Sequence, residues 1–126
     1  MLIEMNFENI KLKLKLIGVG DYEFILNRYI APLSIDEVFH KCPLKSRGVK
    51  RNGKLTLLTS LKLREENSMK EFNRGDISVD PSSGQITIYL QDNFEISQSE
   101  NYLGNIGDEI NYEMLPTSMG VLIKSI

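Results

Sequence analysis

Residues 27–53, NRYIAPLSIDEVFHKCPLKSRGVKRNG, join the clearest helix signal in the chain to a basic hairpin that follows it directly. Ser34 carries a hydroxyl that can cap a helix, and Glu37, three residues later, can reach back to the free amide of Ser34. Pro43 ends the pattern, because proline lacks an N–H and its ring clashes with the preceding turn of a helix. The sequence therefore predicts a helix over residues 34–42.

The predicted helix is amphipathic and only about two turns long. Its apolar residues recur at offsets of three, four and seven, as one face of a helix requires. This face carries Ile35, Val38, Phe39 and Cys42. Leu33 and Val38 are placed to form a hydrophobic staple over the N-terminus. Because so short a helix does not persist alone in water, its apolar face must pack on a larger element, for which the rest of the chain predicts a sheet.

The basic hairpin turns at Asn52 and Gly53, the dipeptide that best tolerates the two positive φ angles of a type I′ turn. Pairing Arg51 with Lys54 across this turn fixes the register of both strands. The face expected to be buried carries Ser46, Gly48, Leu55 and Leu57. The opposite, outer face is amphipathic and carries Arg47, Val49, Arg51, Thr56 and Leu58. The hairpin is expected to continue through residues 61–63.

The other strands are predicted by the alternation of apolar and polar residues. Residues 10–17 alternate isoleucine or leucine with lysine, and residues 22–26 return as their hairpin partner. Residues 75–79 and 85–90 form another predicted pair around a Pro-Ser-Ser-Gly turn. In this pair Ile86, Ile88 and Leu90 are expected inside, and Gln85, Thr87 and Tyr89 outside. Residues 120–126 are expected to close the sheet.

Two stretches show no strand pattern. Residues 64–74 are highly charged and predict a loop with a helical turn at residues 68–72. Residues 91–110 mix polar residues with scattered aromatic ones and predict a long surface loop. Seven or eight strands joined mostly by hairpins, with one or two short helices, predict a closed β-barrel, because closure removes the exposed edges of a sheet. We expect a single domain over residues 1–126, with the helix at 34–42 packed at one opening.

The composition fits a globular protein of 126 residues, 41% of them apolar and 25% charged. The apolar runs are too short to span a membrane, and the N-terminus carries acids where a signal peptide carries positive charge, so we expect a cytoplasmic protein with no membrane partner. Cys42 is the single cysteine and His40 the single histidine, so an internal disulfide is excluded and neither a catalytic triad nor a histidine-rich metal site is expected. We expect no cofactor and no metal.

Charge is strongly segregated along the chain, although the formal net charge is only −2. Eight basic residues and no acid lie between Glu37 and Glu65, whereas residues 65–113 hold eleven acids and two bases. This asymmetry is typical either of an anion-binding surface or of a solvated hairpin beside an acidic loop. We favour the second interpretation, because no nucleic-acid-binding motif and no interleaved aromatic residues accompany the basic stretch. Nucleic acid is therefore not an expected partner.

Four short segments, taken in chain order, resemble the small prokaryotic cyclophilin-like proteins, which are barrels similar to cyclophilin but much shorter. They are the helix end at 39–43 with Leu-Lys-Ser-Arg at 44–47, Gly-Asp-Ile at 75–77, the turn and apolar strand at 81–90, and Leu-Pro-Thr-Ser at 115–118. Together they span most of residues 9–126. The resemblance implies a cyclophilin-like closed β-barrel, but no single activity, because this family has no settled function.

The chain departs from this family at aromatic positions. Residues 52–54 stand where the family often has a tryptophan and an acid, and residues 79–80 where it often has a tyrosine-tryptophan pair. The chain contains no tryptophan, and it lacks the Phe-His-Arg strand start and the Gln-Gly-Gly turn of true cyclophilins. We therefore expect a module that binds a peptide segment or a small ligand on its outer face without turnover, and we rank catalysis second.

The catalytic alternative implied by the resemblance is a peptidyl-prolyl cis-trans isomerase acting on a proline-containing peptide. Such an enzyme needs an arginine that hydrogen-bonds the prolyl nitrogen and weakens the amide resonance, beside an apolar pocket for the ring. Arg47 is the first candidate for this role and Arg51 the second, although both can equally be solvated charges of the hairpin. A further alternative is the binding of an anionic partner or nucleic acid through the basic hairpin. The expected ligand-binding residues are Val49, Thr56, Leu58, Thr87 and Tyr89.

Overall fold

The computed structural model describes residues 9–126, which form nine strands, one α-helix and one 3-10 turn. The strands are β1 (Asn9–Leu16), β2 (Gly20–Asn27), β3 (Leu44–Arg51), β4 (Lys54–Leu57), β5 (Ser68–Phe72), β6 (Asp76–Val79), β7 (Ile86–Tyr89), β8 (Phe94–Ile106) and β9 (Ser118–Ser125). The helix α1 spans Pro32–Lys41, and the 3-10 turn spans Tyr112–Met114. The N-terminal acids that argued against a signal peptide lie outside the described residues.

Eight of the described strands close into an antiparallel barrel. Their order around the barrel is β2, β1, β9, β3, β4, β7, β6 and β8, and β8 pairs again with β2, where Ile106 lies opposite Phe24. β5 lies outside this ring and pairs with the first part of β8, from Phe72 opposite Phe94 to Ser68 opposite Asn101. We call β5 and residues 94–100 the ribbon. The prediction of a mainly β, closed barrel of seven or eight strands with one or two short helices is confirmed for residues 9–126.

The barrel interior is filled by the inward-facing half of its strands. Along β1, Leu12, Leu14 and Leu16 are at most 1% exposed, and lysines alternate with them. Leu14 lies opposite Ile123 of β9, which is also fully buried. Burial of each such side chain contributes about 1.5–3 kcal/mol before the entropy cost of ordering the chain. The half-buried strand predicted for residues 10–17 is therefore confirmed.

Helix α1 covers one opening of the barrel, where it connects the end of β2 to the start of β3. Its inward face contributes Ile35 and Val38, both fully buried, to the same core as the strands. Phe39 was predicted on this face but is 41% exposed. The buried face consists of Ser34, Ile35 and Val38, so its centre differs from that of the predicted apolar face. Phe39 lies about 90° around the helix from the centre of the buried face and is therefore partly exposed.

The N-terminus of α1 is capped by a residue from a distant segment. The helix begins at Pro32 rather than Ser34, so the predicted capping box of Ser34 with Glu37 is not formed. Instead, the amides of Leu33 and Ser34 and the Ser34 hydroxyl donate to the Glu66 carboxylate at 2.8–3.0 Å. Glu66 thereby satisfies free amides and places a negative charge at the positive end of the helix. Leu33 is 68% exposed, so the predicted hydrophobic staple is wrong as well.

The basic hairpin has the predicted register. Asn52 and Gly53 form its turn with φ angles of 52° and 79°. The residues on either side pair as expected, as far as Gly48 opposite Leu57. β4 ends at Leu57, whereas the prediction extended the hairpin through residues 61–63. The turn thus fixed the pairing correctly, but the length of the second strand was overestimated.

Two predicted loops contain strands. Residues 68–72, predicted as a helical turn, form β5, and much of the predicted surface loop at 91–110 forms β8. The first half of β8 lies in the ribbon, where several of its polar side chains are exposed to solvent. In its second half the fully buried Asn101 makes three hydrogen bonds through its side chain. Because of these polar residues, β8 lacks the hydrophobic alternation that marks a buried strand.

Candidate ligand-binding groove

An open groove with a volume of about 530 Å3 lies on the outer face of the barrel, over β3, β4 and the start of β7. It is lined by Val49, Arg51, Asn52, Lys54, Thr56, Leu58 and Gln85. Four of these residues, Val49, Arg51, Thr56 and Leu58, were assigned to a ligand-binding or catalytic site from the sequence. We call this feature the outer groove.

The register of the hairpin explains why these side chains meet. Successive residues of a strand point to opposite faces, so Val49 and Arg51 of β3 share the outer face with Lys54 and Thr56 of β4. Val49 lies directly opposite Thr56, and Thr56 lies directly opposite Thr87 of β7. The tight turn therefore determines the register and which side chains of the hairpin line the groove.

The outer groove has an exposed apolar side chain at one end and two cations at the other. Leu58 is 46% exposed and lies where β4 ends, whereas Arg51 and Lys54 flank the turn. The four-residue step from Leu58 to Lys54 corresponds to about 13 Å along an extended strand. The Lys54 ammonium lies 5.3 Å from the centroid of the Phe94 ring. A ligand that fills the groove therefore contacts an apolar side chain at one end and two positive charges at the other.

Arg47 borders the outer groove without lining it. Its carbonyl accepts a hydrogen bond from the Leu58 amide at 2.8 Å, so the two residues are neighbours, as the register predicts. The guanidinium turns toward β9 and donates to the Ser118 hydroxyl at 3.1 Å. Of the two arginines assigned to catalysis, Arg51 lines the groove and Arg47 stands at its edge.

The prediction that Thr87 and Tyr89 are exposed on the outer face is wrong. Both point away from the core, yet their exposed fractions are 6% and 0%. The Tyr89 ring stacks on Phe72 of the ribbon with centroids 4.5 Å apart, and the Phe94 centroid lies 5.3 Å from it. Tyr102 approaches Phe72 at 6.5 Å, and we call these four rings the aromatic cluster. Neither Thr87 nor Tyr89 lines the outer groove.

A polar network joins the ribbon to the barrel beside the aromatic cluster. The hydroxyls of Ser78 and Tyr89 donate to the same Glu100 oxygen at 2.6 and 3.3 Å. Burial raises the pKa of the Tyr89 hydroxyl, while a hydrogen bond with Ser78 lowers it and the charge of Glu100 raises it again. Because the net effect is upward, Tyr89 stays protonated at neutral pH and remains a donor.

A second, smaller cavity of about 220 Å3 lies near the segment that follows β8. It is lined by Arg74, Gly75, Leu90, Ile106, Asp108, Glu109 and Ile110.

Lys50, on the inner side of β3, donates to the Tyr112 and Leu115 carbonyls, both at 3.0 Å. The Lys50 ammonium is therefore hydrogen-bonded within the protein and does not line the outer groove.

The single cysteine has the environment of a structural residue. Burial raises the pKa of the Cys42 thiol, which donates to the Val38 carbonyl at 3.3 Å, so the thiol stays protonated and is a poor nucleophile at neutral pH. Within residues 9–126, no three His, Cys, Asp or Glu side chains are grouped so that they could hold a metal. No helix in this part of the chain is both long and apolar enough to cross a bilayer.

Three residues that line the outer groove were not assigned to it from the sequence. Lys54 could have been found, because it lies two residues from Thr56 and shares its face. Asn52 could also have been found, because it belongs to the turn. Gln85 was expected outside, but no local turn links β4 to β7, so its position beside the groove depends on a long-range pairing.

The comparisons with known proteins show the fold. No family model and no curated protein sequence matches the chain. Among solved structures, the chain is similar to the hypothetical protein AF2241 from Archaeoglobus fulgidus, determined in solution, with a TM-score of 0.80. The match covers 94% of this chain and 96% of that protein at 16% sequence identity. At this identity the likeness concerns the architecture of the barrel alone.

Proposed function

We propose that the protein is a cytoplasmic binding module of the cyclophilin-like kind, which holds an extended peptide segment in the outer groove without turnover. The observation that supports this most directly is the groove itself, which combines the apolar Val49 and Leu58 with Thr56 and two cations on an open surface. Its volume of about 530 Å3 falls within the roughly 300–1,000 Å3 that is usual for ligand sites.

The closed barrel restricts how a peptide can bind. β3, β4 and β7 each have hydrogen-bonded neighbours on both sides, so an incoming segment cannot pair with them as a further strand. Recognition is therefore expected through side chains of the outer face. An extended peptide presents every second side chain to such a surface, with the same repeat as the strands beneath it.

The cyclophilin-like assignment is supported by the barrel, by helix α1 at its opening and by the four sequence segments that resemble this family. Isomerisation, the alternative function, is supported by Arg51 in the groove and Arg47 at its edge. The groove lining contains no aromatic side chain to pack on a prolyl ring. We therefore rank isomerisation below binding, with Arg51 ahead of Arg47 as its arginine.

An NMR titration tests the proposal. The protein, labelled with 15N, is titrated with a pool of capped, proline-containing octapeptides, and we expect the largest amide shifts at Val49, Thr56 and Leu58. Replacing Leu58 by Ala should weaken binding about tenfold, as expected for the loss of one apolar contact. Met69→Ala is the matched control, because Met69 in β5 is 41% exposed, close to the 46% of Leu58, and lies outside the groove.

Three results would contradict this proposal. The absence of saturable shifts would exclude binding of these peptides. Shifts centred on the cavity beside Arg74 would show that the peptide binds there and not in the outer groove. Faster exchange between the cis and trans signals of a bound peptide would show that the protein is an isomerase and not a binding module without turnover.

A further inference from the structure

The cations of the outer groove have no anionic partner within the described part of the chain. The ion pairs formed by residues 9–126 are Lys13–Asp21, Arg28–Asp36 and Arg74–Glu109. Arg51 and Lys54 belong to none of these pairs, and no carboxylate is among the residues that line the groove. An unpaired cation gains most from a ligand that brings a negative charge of its own.

The two cations differ in how they can hold an anion. Arg51 presents a planar guanidinium that can bind both oxygens of a carboxylate at once. The ammonium of Lys54 lies over the Phe94 ring at 5.3 Å, which restricts where this charge can be placed. Both flank the Asn52-Gly53 turn, so their backbone positions are fixed by a tight hairpin. The cationic end of the groove is therefore a defined position rather than a diffuse patch.

The spacing between the two ends matches the repeat of an extended peptide. Leu58 lies four residues from Lys54 along the chain, about 13 Å for an extended strand. In a bound extended peptide, residues at positions i and i+4 are separated by the same distance and face the same side. One apolar and one acidic side chain at this spacing would reach Leu58 and the cation pair together.

We propose, resting on the peptide-binding function above, that the outer groove selects peptides in which an acidic residue lies four positions from an apolar residue. The carboxylate is bound by Arg51 and Lys54, and the apolar side chain packs on Leu58 and Val49. A nucleic acid fits this surface less well, because no aromatic side chain lines the groove to stack on bases and one end of it is apolar.

The experiment compares two libraries of capped octapeptides that differ at one position. The first fixes Leu and Glu four residues apart, in both orders, with uncharged residues elsewhere, and the second replaces Glu by Gln. Acetyl and amide caps remove the terminal charges. Fluorescence anisotropy gives the Kd for each library, and we expect the Glu library to bind at least about tenfold more tightly, as for a charge-assisted contact.

Two double variants locate the effect. Arg51→Gln with Lys54→Gln should reduce the preference for Glu over Gln to about onefold, because both groups that bind the carboxylate lose their charge. Lys45→Gln with Lys62→Gln is the matched control, because it removes the same net charge from two exposed side chains outside the groove. This control should keep the full preference. Circular dichroism and the thermal midpoint verify that both double variants are folded.

The outcomes separate this inference from the proposed function. Equal Kd values for the Glu and Gln libraries would overturn the acidic selectivity and leave peptide binding intact, whereas the absence of binding by both libraries would overturn both. A preference that survives Arg51→Gln with Lys54→Gln, or that falls equally in the control, would also overturn the inference. A single-stranded oligonucleotide could also bind more tightly than the Glu library and lose this binding in Arg51→Gln with Lys54→Gln. That result would show that the ligand of the outer groove is a nucleic acid and not a peptide.

Discussion

Tyr89 and Leu58 both point away from the barrel core, yet Tyr89 is fully buried and Leu58 is 46% exposed. The difference lies in what covers them. Over Tyr89 the ribbon brings Phe72 and Phe94 into ring contact, whereas the surface around Leu58 is an open groove. The outer face of one sheet is thus divided into a covered part, which is packed under the ribbon, and an open part, which is accessible to solvent.

This division shows that the direction of a side chain and its burial are separate properties in a barrel. Alternation along β7 correctly places Ile88 inside and Tyr89 outside. Burial of Tyr89 then depends on a second layer formed by the ribbon, which places Phe72 and Phe94 over it. An outward aromatic residue is therefore weak evidence for a ligand site until the elements above it are known.

The largest expected difference between the two parts is in stability. Replacing Phe72 by Ala should cost about 3–5 kcal/mol, because it removes a fully buried ring that stacks on Tyr89 and leaves a cavity. Met69→Ala in the same strand should change stability by less than about 0.5 kcal/mol, since Met69 is exposed. Urea unfolding measures both. Similar small costs for the two variants would show that the ribbon does not cover the barrel in solution.

Two adjacent leucines give the next largest contrast. Leu57→Ala should destabilise the protein by roughly 2–5 kcal/mol, because Leu57 is fully buried in the barrel core. Leu58→Ala should cost less than about 0.5 kcal/mol, because this side chain faces the open groove. Chemical unfolding of the two variants under the same conditions tests the inward and outward assignment. Equal costs would mean that the register set by the Asn52-Gly53 turn is wrong.

The parts of the fold that could be predicted from the sequence are those set by local geometry. The alternation in β1 depends only on the pleat of a strand, and the hairpin register depends only on the positive φ angles at Asn52 and Gly53. The same register brought Val49, Thr56 and Leu58 together in the outer groove. About half of the candidate site therefore followed from one turn.

The features that could not be predicted are long-range and polar. Ser34 has a local partner at Glu37 in the sequence, but its amide and hydroxyl donate to Glu66, 32 residues away. Asn101 in β8 is fully buried, and its side-chain amide donates to the Ser34 hydroxyl, 67 residues away in the chain. A periodic pattern records burial of apolar residues only, so it carries no signal for strands and caps that depend on such hydrogen bonds.

A smaller effect on stability is expected from removing the Tyr89 hydroxyl, which lies at the border of the covered part. Tyr89→Phe should cost about 1 kcal/mol near pH 8, because it removes a part-buried hydrogen bond to Glu100. The folded state raises the pKa of Tyr89, so the stability it contributes is complete below the ordinary tyrosine pKa of about 10 and is lost as the pH rises above it. The cost of Tyr89→Phe should therefore shrink as the pH rises above about 10.

Urea unfolding at several pH values measures this trend. Tyr29→Phe is the matched control, because Tyr29 is 77% exposed, and its cost should be close to zero. A cost of Tyr89→Phe that stays constant or grows with pH would contradict the covered position of the hydroxyl, since an exposed tyrosine ionises equally in both states.

The smallest expected effect on stability is at the edge of the groove. Arg47→Ala should change the free energy of unfolding by less than about 0.5 kcal/mol, because it removes one exposed hydrogen bond to the Ser118 hydroxyl. A double-mutant cycle with Ser118→Ala measures the coupling between the two side chains, and we expect a value near zero. A coupling above about 1 kcal/mol would identify Arg47 as a structural link between β3 and β9. Near-zero coupling would instead leave the guanidinium free to turn from Ser118 toward a peptide beside Leu58, which is the movement that an isomerase using Arg47 rather than Arg51 would require.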